Sequence, residues 1–92
     1  MPYRVQFTNR ALQDFGKLDH RRRKALMDAA EGLGADPHPS NSKRLRGSLR
    51  EYHRIRVEDD RAIYFVDEKA KEVLVVAAGP RGRIYEVTRR RL

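Results

Sequence analysis

The chain contains no cysteine, which excludes disulfides and thiolate-metal centres as reinforcement and gives no sign of an oxidising compartment. It has no apolar run near the roughly 20 residues that a membrane span needs. Its opening, MPYRVQFTNR, lacks the apolar stretch of a secretory signal, so the expected location is the cytoplasm. Internal repeats and low-complexity tracts are also missing. No HxxH or paired carboxylates stand at metal-ligand spacing, and neither a metal nor another cofactor is expected. The three histidines, His20, His38 and His53, are scattered along the chain and read as solvated or core-edge residues rather than as a general acid–base pair.

What the chain does have is cationic charge. Its 92 residues allow one modest core, hence a single domain over 1–92. The 39% hydrophobic content makes that domain globular, and the 37% charged content covers its surface. The formal net charge of +8 favours a polyanion such as nucleic acid, or an acidic protein, over a neutral metabolite. Residues 43–57 carry six Lys/Arg against Glu51, and residues 81–92 carry five Arg against Glu86. These two short segments account for the whole imbalance, which is the pattern of a localised anion site.

In YRVQF, Tyr3, Val5 and Phe7 alternate with polar residues, as in a strand with one buried face. Thr8 or Asn9 caps a first helix carrying Ala11, Leu12, Phe15 and Leu18, and Gly16 weakens it. Asp19 caps a second helix in which Leu26, Ala29, Ala30 and Leu33 repeat at helical spacing up to a stop at Gly34. The short break makes the two an antiparallel hairpin. GADPHPSNSK reads as a loop. Strands are expected at roughly 49–57, 61–67 and 73–78, with the nearly continuous VLVVAA the most buried. The expected fold is α+β: an N-terminal strand, a helical hairpin and a three-stranded antiparallel meander, with helices on one face of a single sheet.

Strand parity sorts the cations. Ile55 and Val57 must face the helices, so Arg54 and Arg56, with Tyr52, project from the opposite face. Arg61 opens the next strand, brought beside them by a turn at VEDD. Arg81 lies between two glycines in AAGPRGRIY, where a loop presents groups from a rigid scaffold. Arg83 lies nearby, and Tyr85 offers either a ring for base stacking or another core side chain. Lys43, Arg44 and Arg46 extend the basic surface as candidate RNA-binding residues. HRRRK at 20–24 is either a solvated helix start or a contact with a polyanion such as RNA, and TRRRL at 88–92 either continues the anion site or forms a tail.

KRLRG at 43–47, HRIRVEDDRAIYFV at 53–66, VLVVAAGPRGRIYEV at 73–87 and the earlier TNRALQDFGKL together resemble the RelE branch of the RelE/ParE toxin superfamily, over essentially the whole chain. The resemblance implies a RelE-like fold and a ribosome-dependent endoribonuclease that cuts messenger RNA in the decoding site and is held inactive by an acidic antitoxin. It places the catalytic strand pair at Arg54 and Arg56, the phosphate-binding arginine at Arg61, the loop arginine at Arg81 and the late tyrosine at Tyr85. The chain departs from the best-known relatives in having arginines where those have lysines. A guanidinium, which stays protonated at neutral pH, is a sound phosphate clamp and a poor general base. The proton acceptor thus stays open between Tyr85 and ribosomal groups. The competing expectations are a ParE-like gyrase inhibitor, which has no need of Arg61, Arg81 and Tyr85 together, and a catalytically inactive RNA-binding module.

Overall fold

Tyr3, Val5 and Phe7 turn one side of strand β1 (Arg4–Phe7) into the core, as their alternation requires, in a computed structural model that describes residues 2–92. Thr8 then ends the strand and caps helix α1 (Asn9–Gly16), its Oγ1 accepting from Ala11 N at 3.1 Å. Asp19 does the same for α2 (His20–Gly32), accepting from Arg22 N at 2.9 Å. Ala11, Phe15, Leu18, Leu26, Ala30 and Leu33 are buried between the hairpin and the sheet, and Phe7 meets Phe15 edge-on at 5.7 Å. Leu12 stays exposed.

Three further strands follow as a meander, β3 (Tyr52–Val57), β4 (Asp60–Asp67) and β5 (Glu72–Pro80), after a short strand β2 (Ser42–Arg44) and a 3₁₀ turn at Gly47–Leu49. The sheet order is β1-β5-β4-β3-β2, with β1 parallel to β5 and the other pairs antiparallel. Strand β2 corrects the loop reading at its end: Ser42, Lys43 and Arg44 pair with Ile55, Arg54 and His53.

A second addition is helix α3 (Ile84–Arg91). The hairpin α1–α2 packs on one sheet face as expected, whereas α3 lays Ile84 against Ile63, Val76 and Ala77 on the other. A bulge makes this possible. Ile63 pairs with Ala77 but Tyr64 with Val75, so Val76 is the extra residue and both Val76 and Ala77 reach the α3 side.

The outer edge of β5 explains how α3 is held. β1 pairs only with Glu72–Val75, which leaves the rest of that edge without a strand. Asp14 Oδ2 of α1 accepts from Ala78 N at 3.1 Å, and Arg91 Nη1 of α3 donates to Val76 O at 2.9 Å. The two side chains also pair with each other, Nη1 to Oδ2 at 2.7 Å and Nη2 to Oδ1 at 2.9 Å. An ion pair thus substitutes for the missing strand. The bonds to Asp14 push the Arg91 guanidinium further above its usual range.

Gly34, just beyond the end of α2, lies against the backbone that leads into β1. Its carbonyl accepts from Tyr3 N at 2.7 Å, and a Cβ there would stand 2.9 Å from Tyr3 O. Backbone cannot yield cheaply, so Gly34→Ala is expected to cost about 1–3 kcal/mol in urea unfolding. An unchanged midpoint would show that β1 is free to shift.

Candidate functional site

Cross-strand register gathers the predicted cations on the sheet face opposite α1 and α2. Lys43 pairs with Arg54, Arg54 with Ile63 and Ile63 with Ala77 in one row; Arg56 pairs with Arg61 and Arg61 with Gly79 in the next. Directly opposed residues share a face, so Lys43, Arg54, Arg56 and Arg61 stand with Ile63 on the α3 side. Two residues beyond Gly79, Arg81 donates its backbone N–H to Asp59 O at 2.9 Å, which ties the β5–α3 loop to the β3–β4 turn. Arg61 and Arg81 therefore occupy the same end of the molecule. Arg83 precedes α3, and Tyr85, in its first turn, is half-buried against the Ile63 cluster.

The guanidinium groups differ in restraint. Arg61 is only 6% exposed, and its Nη1 donates to Glu58 O at 3.0 Å and Asp60 O at 3.2 Å. Arg54 Nη1 donates to Asn41 O at 2.9 Å. Arg56 and Arg81 are exposed, and neither side chain makes a hydrogen bond among the described residues. Asn41 also frames the site, accepting from Arg56 N at 3.2 Å and donating from Nδ2 to Arg56 O at 3.0 Å. Nothing in a loop of Ser and Asn singles it out before β2 is known.

Two predicted residues lie apart. Arg44 pairs with His53 across the sheet and so projects from the helix face, with Nε donating to Arg50 O at 2.7 Å. Arg46 is exposed at the 3₁₀ turn beyond β2, outside both rows.

Charge pairing is incomplete over the whole surface, and outside this face Arg10, Lys17, Arg23, Arg44, Arg46, Arg50, Lys69 and Arg89 have no carboxylate partner among the described residues. Carboxylates take up Arg4, Arg21, Arg22, Lys24, Lys71, Arg90 and Arg91. None of Lys43, Arg54, Arg56, Arg61, Arg81 or Arg83 has such a partner among the described residues. Of the three acids at the β3–β4 turn, Asp60 is directed to Arg22 and Glu58 to Arg21, while Asp59 is exposed and makes no ion pair among the described residues. Like charges held together without counter-charge are costly, and an anionic ligand relieves that cost. In HRRRK, three of the four basic residues are paired with acids, which is the behaviour of a structural helix start.

The histidines lie elsewhere. The His38 and His53 rings meet at a tilt with centroids 5.0 Å apart, and His53 stacks on Tyr64 at 5.6 Å with a buried Nδ1 that has no partner among the described residues. Burial, and then the charges of His38 and Arg44, lower the His53 pKa below its usual value. Because the unfolded chain takes up this proton first, stability is expected to fall as the pH drops below about 6.5 and to level off below the lowered His53 value. Urea midpoints between pH 8 and 5 test this, and the step should vanish in His53→Phe. Among the described residues no three His, Cys, Asp or Glu side chains cluster to hold a metal, and no helix is long and apolar enough to cross a membrane.

A fold of this topology, with an arginine face bounded by a late loop and a C-terminal helix, defines a class. Residues 5–85 match the family of the ParE toxin of type II toxin–antitoxin systems, parDE. The chain belongs to that family, and it is a type II toxin of the RelE/ParE superfamily. Among solved structures it is similar to the toxin of the RelBE2 complex of Mycobacterium tuberculosis, at 30% identity and a TM-score of 0.79 over 88% of this chain and 93% of that one. It is likewise similar to the archaeal RelE–RelB complex of Pyrococcus horikoshii (26% identity, TM-score 0.76, 90% and 99% covered). A third is an arginine double mutant of Escherichia coli RelE in the free state (25% identity, TM-score 0.78, 100% and 99% covered). No curated protein sequence matches the chain.

Proposed function

We propose that this toxin is a ribosome-dependent endoribonuclease that cuts messenger RNA in the decoding site. The observation that carries the reading is the placement of Arg56, Arg61 and Arg81 at one end of an open sheet face, none of them ion-paired with a carboxylate among the described residues. Attack by a ribose 2′-hydroxyl on the adjacent phosphate closes a 2′,3′-cyclic phosphate and releases a 5′-hydroxyl end. Negative charge accumulates on the non-bridging oxygens during that step, and fixed guanidinium forks stabilise it. Arg61, restrained by two carbonyls, is the fixed element. Arg56 and Arg81 close from either side, and Arg54 joins by exchanging Asn41 O for a phosphate oxygen. Tyr85 flanks the cluster, suited to stacking on a base, and either its hydroxyl or a ribosomal group takes the 2′ proton. Lys43 and Arg83 extend the phosphate path. The mechanism needs no cofactor from these residues.

The partner that restrains the toxin is an acidic antitoxin steered to the same cations. The RelB-type antitoxins in the complexes of the similar toxins support this. The site of action is the cytoplasm, where translating ribosomes are.

A second reading, gyrase inhibition without RNA cleavage, draws on the family match itself, which is to ParE toxins. Mapping messenger RNA 5′ ends in translation reactions, beside a DNA supercoiling assay, separates the two. Codon-spaced cuts that disappear without ribosomes are expected. Intact transcripts with inhibited supercoiling would establish the second reading instead.

A further inference from the structure

We infer that Arg22 and Asp60 form a positioning pair, clamping the β3–β4 turn to α2 so that the turn holds Arg61 and Arg81 in the geometry that receives the phosphate. The inference rests on the cleavage reading above.

Val57 and Asp60 are the last pair of the hairpin, so the turn itself is Glu58–Asp59. Its three consecutive carbonyls, from Glu58, Asp59 and Asp60, accept from Arg61 Nη1, Arg81 N and again Arg61 Nη1. The turn thus fixes one site arginine by its side chain and another by its backbone. It is also a segment that needs support: Glu58 sits at φ 56°, a left-handed conformation that a non-glycine residue adopts at a cost.

The support comes from the other face of the sheet. Asp60 shares the helix side with Val57, and its carboxylate takes Arg22 Nε at 2.9 Å through one oxygen and Arg22 Nη2 through the other. This fork fixes both distance and orientation. The Asp60 side chain is 5% exposed and that of Arg22 35%, so the contact is sheltered on one side. The neighbouring Arg21–Glu58 pair is 70% and 65% exposed and adds little. The arrangement also lowers the local negative charge: Asp60 is neutralised by Arg22 behind the sheet while its carbonyl serves Arg61 in front, which leaves Asp59 as the turn's one carboxylate without an ion pair among the described residues.

A pair that only stabilised the fold would change the unfolding midpoint and leave the folded protein's chemistry alone. The test therefore uses full-length Arg22→Ala, Arg22→Lys and Asp60→Asn, well below their unfolding midpoints. Single-turnover cleavage of ribosome-bound messenger RNA is measured beside hydrogen exchange at the Arg81 amide. Arg22→Ala is expected to lower the maximal rate about tenfold or more, with the half-saturating ribosome concentration within about twofold of wild type, because misplacement acts on the transition state. Arg22→Lys, which keeps the charge and loses the fork, falls between. The Arg81 amide should exchange about tenfold faster while Ala62 and Val75 in the core strands do not change.

If Arg22→Ala does not fold, Arg22→Lys and Asp60→Asn carry the same comparison. A folded variant with the wild-type rate, or a slowed one with unchanged exchange at Arg81, overturns the inference and leaves the cleavage reading standing. Absence of cleavage by the wild type removes that reading, and the positioning role with it.

Discussion

Arg81→Ala is expected to slow messenger RNA cleavage about a hundredfold or more, the size of losing one fixed donor to a developing oxyanion, and to relieve growth inhibition while the protein stays folded and still binds its antitoxin. The separation of effects follows from the residue's surroundings. Its side chain is exposed and makes no hydrogen bond among the described residues, so truncation removes nothing from the core. The backbone N–H to Asp59 O survives the substitution and keeps the loop in place. Cleavage on purified ribosomes, thermal unfolding and antitoxin pull-down measure the three outcomes. Full toxicity in a folded Arg81→Ala variant would take Arg81 out of the site.

Asp14→Ala is expected to be the most damaging single change to stability, about 3–5 kcal/mol, the usual cost of removing one partner from a buried ion pair. Asp14 is 8% exposed and Arg91 18%, so the guanidinium left behind is poorly solvated. Ala78 N also loses its acceptor on an edge that no strand covers. The loss should appear in urea unfolding as a lower midpoint. Because Arg91 anchors the last turn of α3, the variant should also loosen the helix that carries Tyr85. A change below about 1 kcal/mol would mean that water reaches Arg91 and Ala78 N readily.

The sequence was most legible where a period-2 or helical repeat imposes a face. Alternation in RIRV places Ile55 in the core and Arg54 and Arg56 opposite, whereas the turn expected over EDD is shorter, Glu58–Asp59, so that Asp60 already pairs with Val57. The cap of α2 was readable in Asp19, and that of α1 was narrowed to Thr8 or Asn9, of which Thr8 is the one that accepts from an N–H three residues ahead. Long-range dependence hid the rest. Ser42, Lys43 and Arg44 have no strand signature of their own and are ordered by β3 and Asn41. Without that register a basic run has no parity, which is why Lys43 and Arg44 read alike although they point to opposite faces. Helix α3 has helical spacing in Ile84, Val87 and Thr88, but its anchor is Asp14, 77 residues before Arg91. Asp14 falls on the buried stripe of α1, three residues after Ala11 and one before Phe15, and only the bare edge of β5 gives a carboxylate a reason to be there.

Whether the arginines act on one phosphate is tested most directly by a double-mutant cycle between Arg56→Ala and Arg81→Ala in single-turnover cleavage on ribosomes. Groups that share a charge in the transition state are not independent, so the combined rate loss is predicted to fall short of the product of the single losses by about tenfold or more. Losses that multiply would place the two side chains on separate phosphates and contradict a single convergent site.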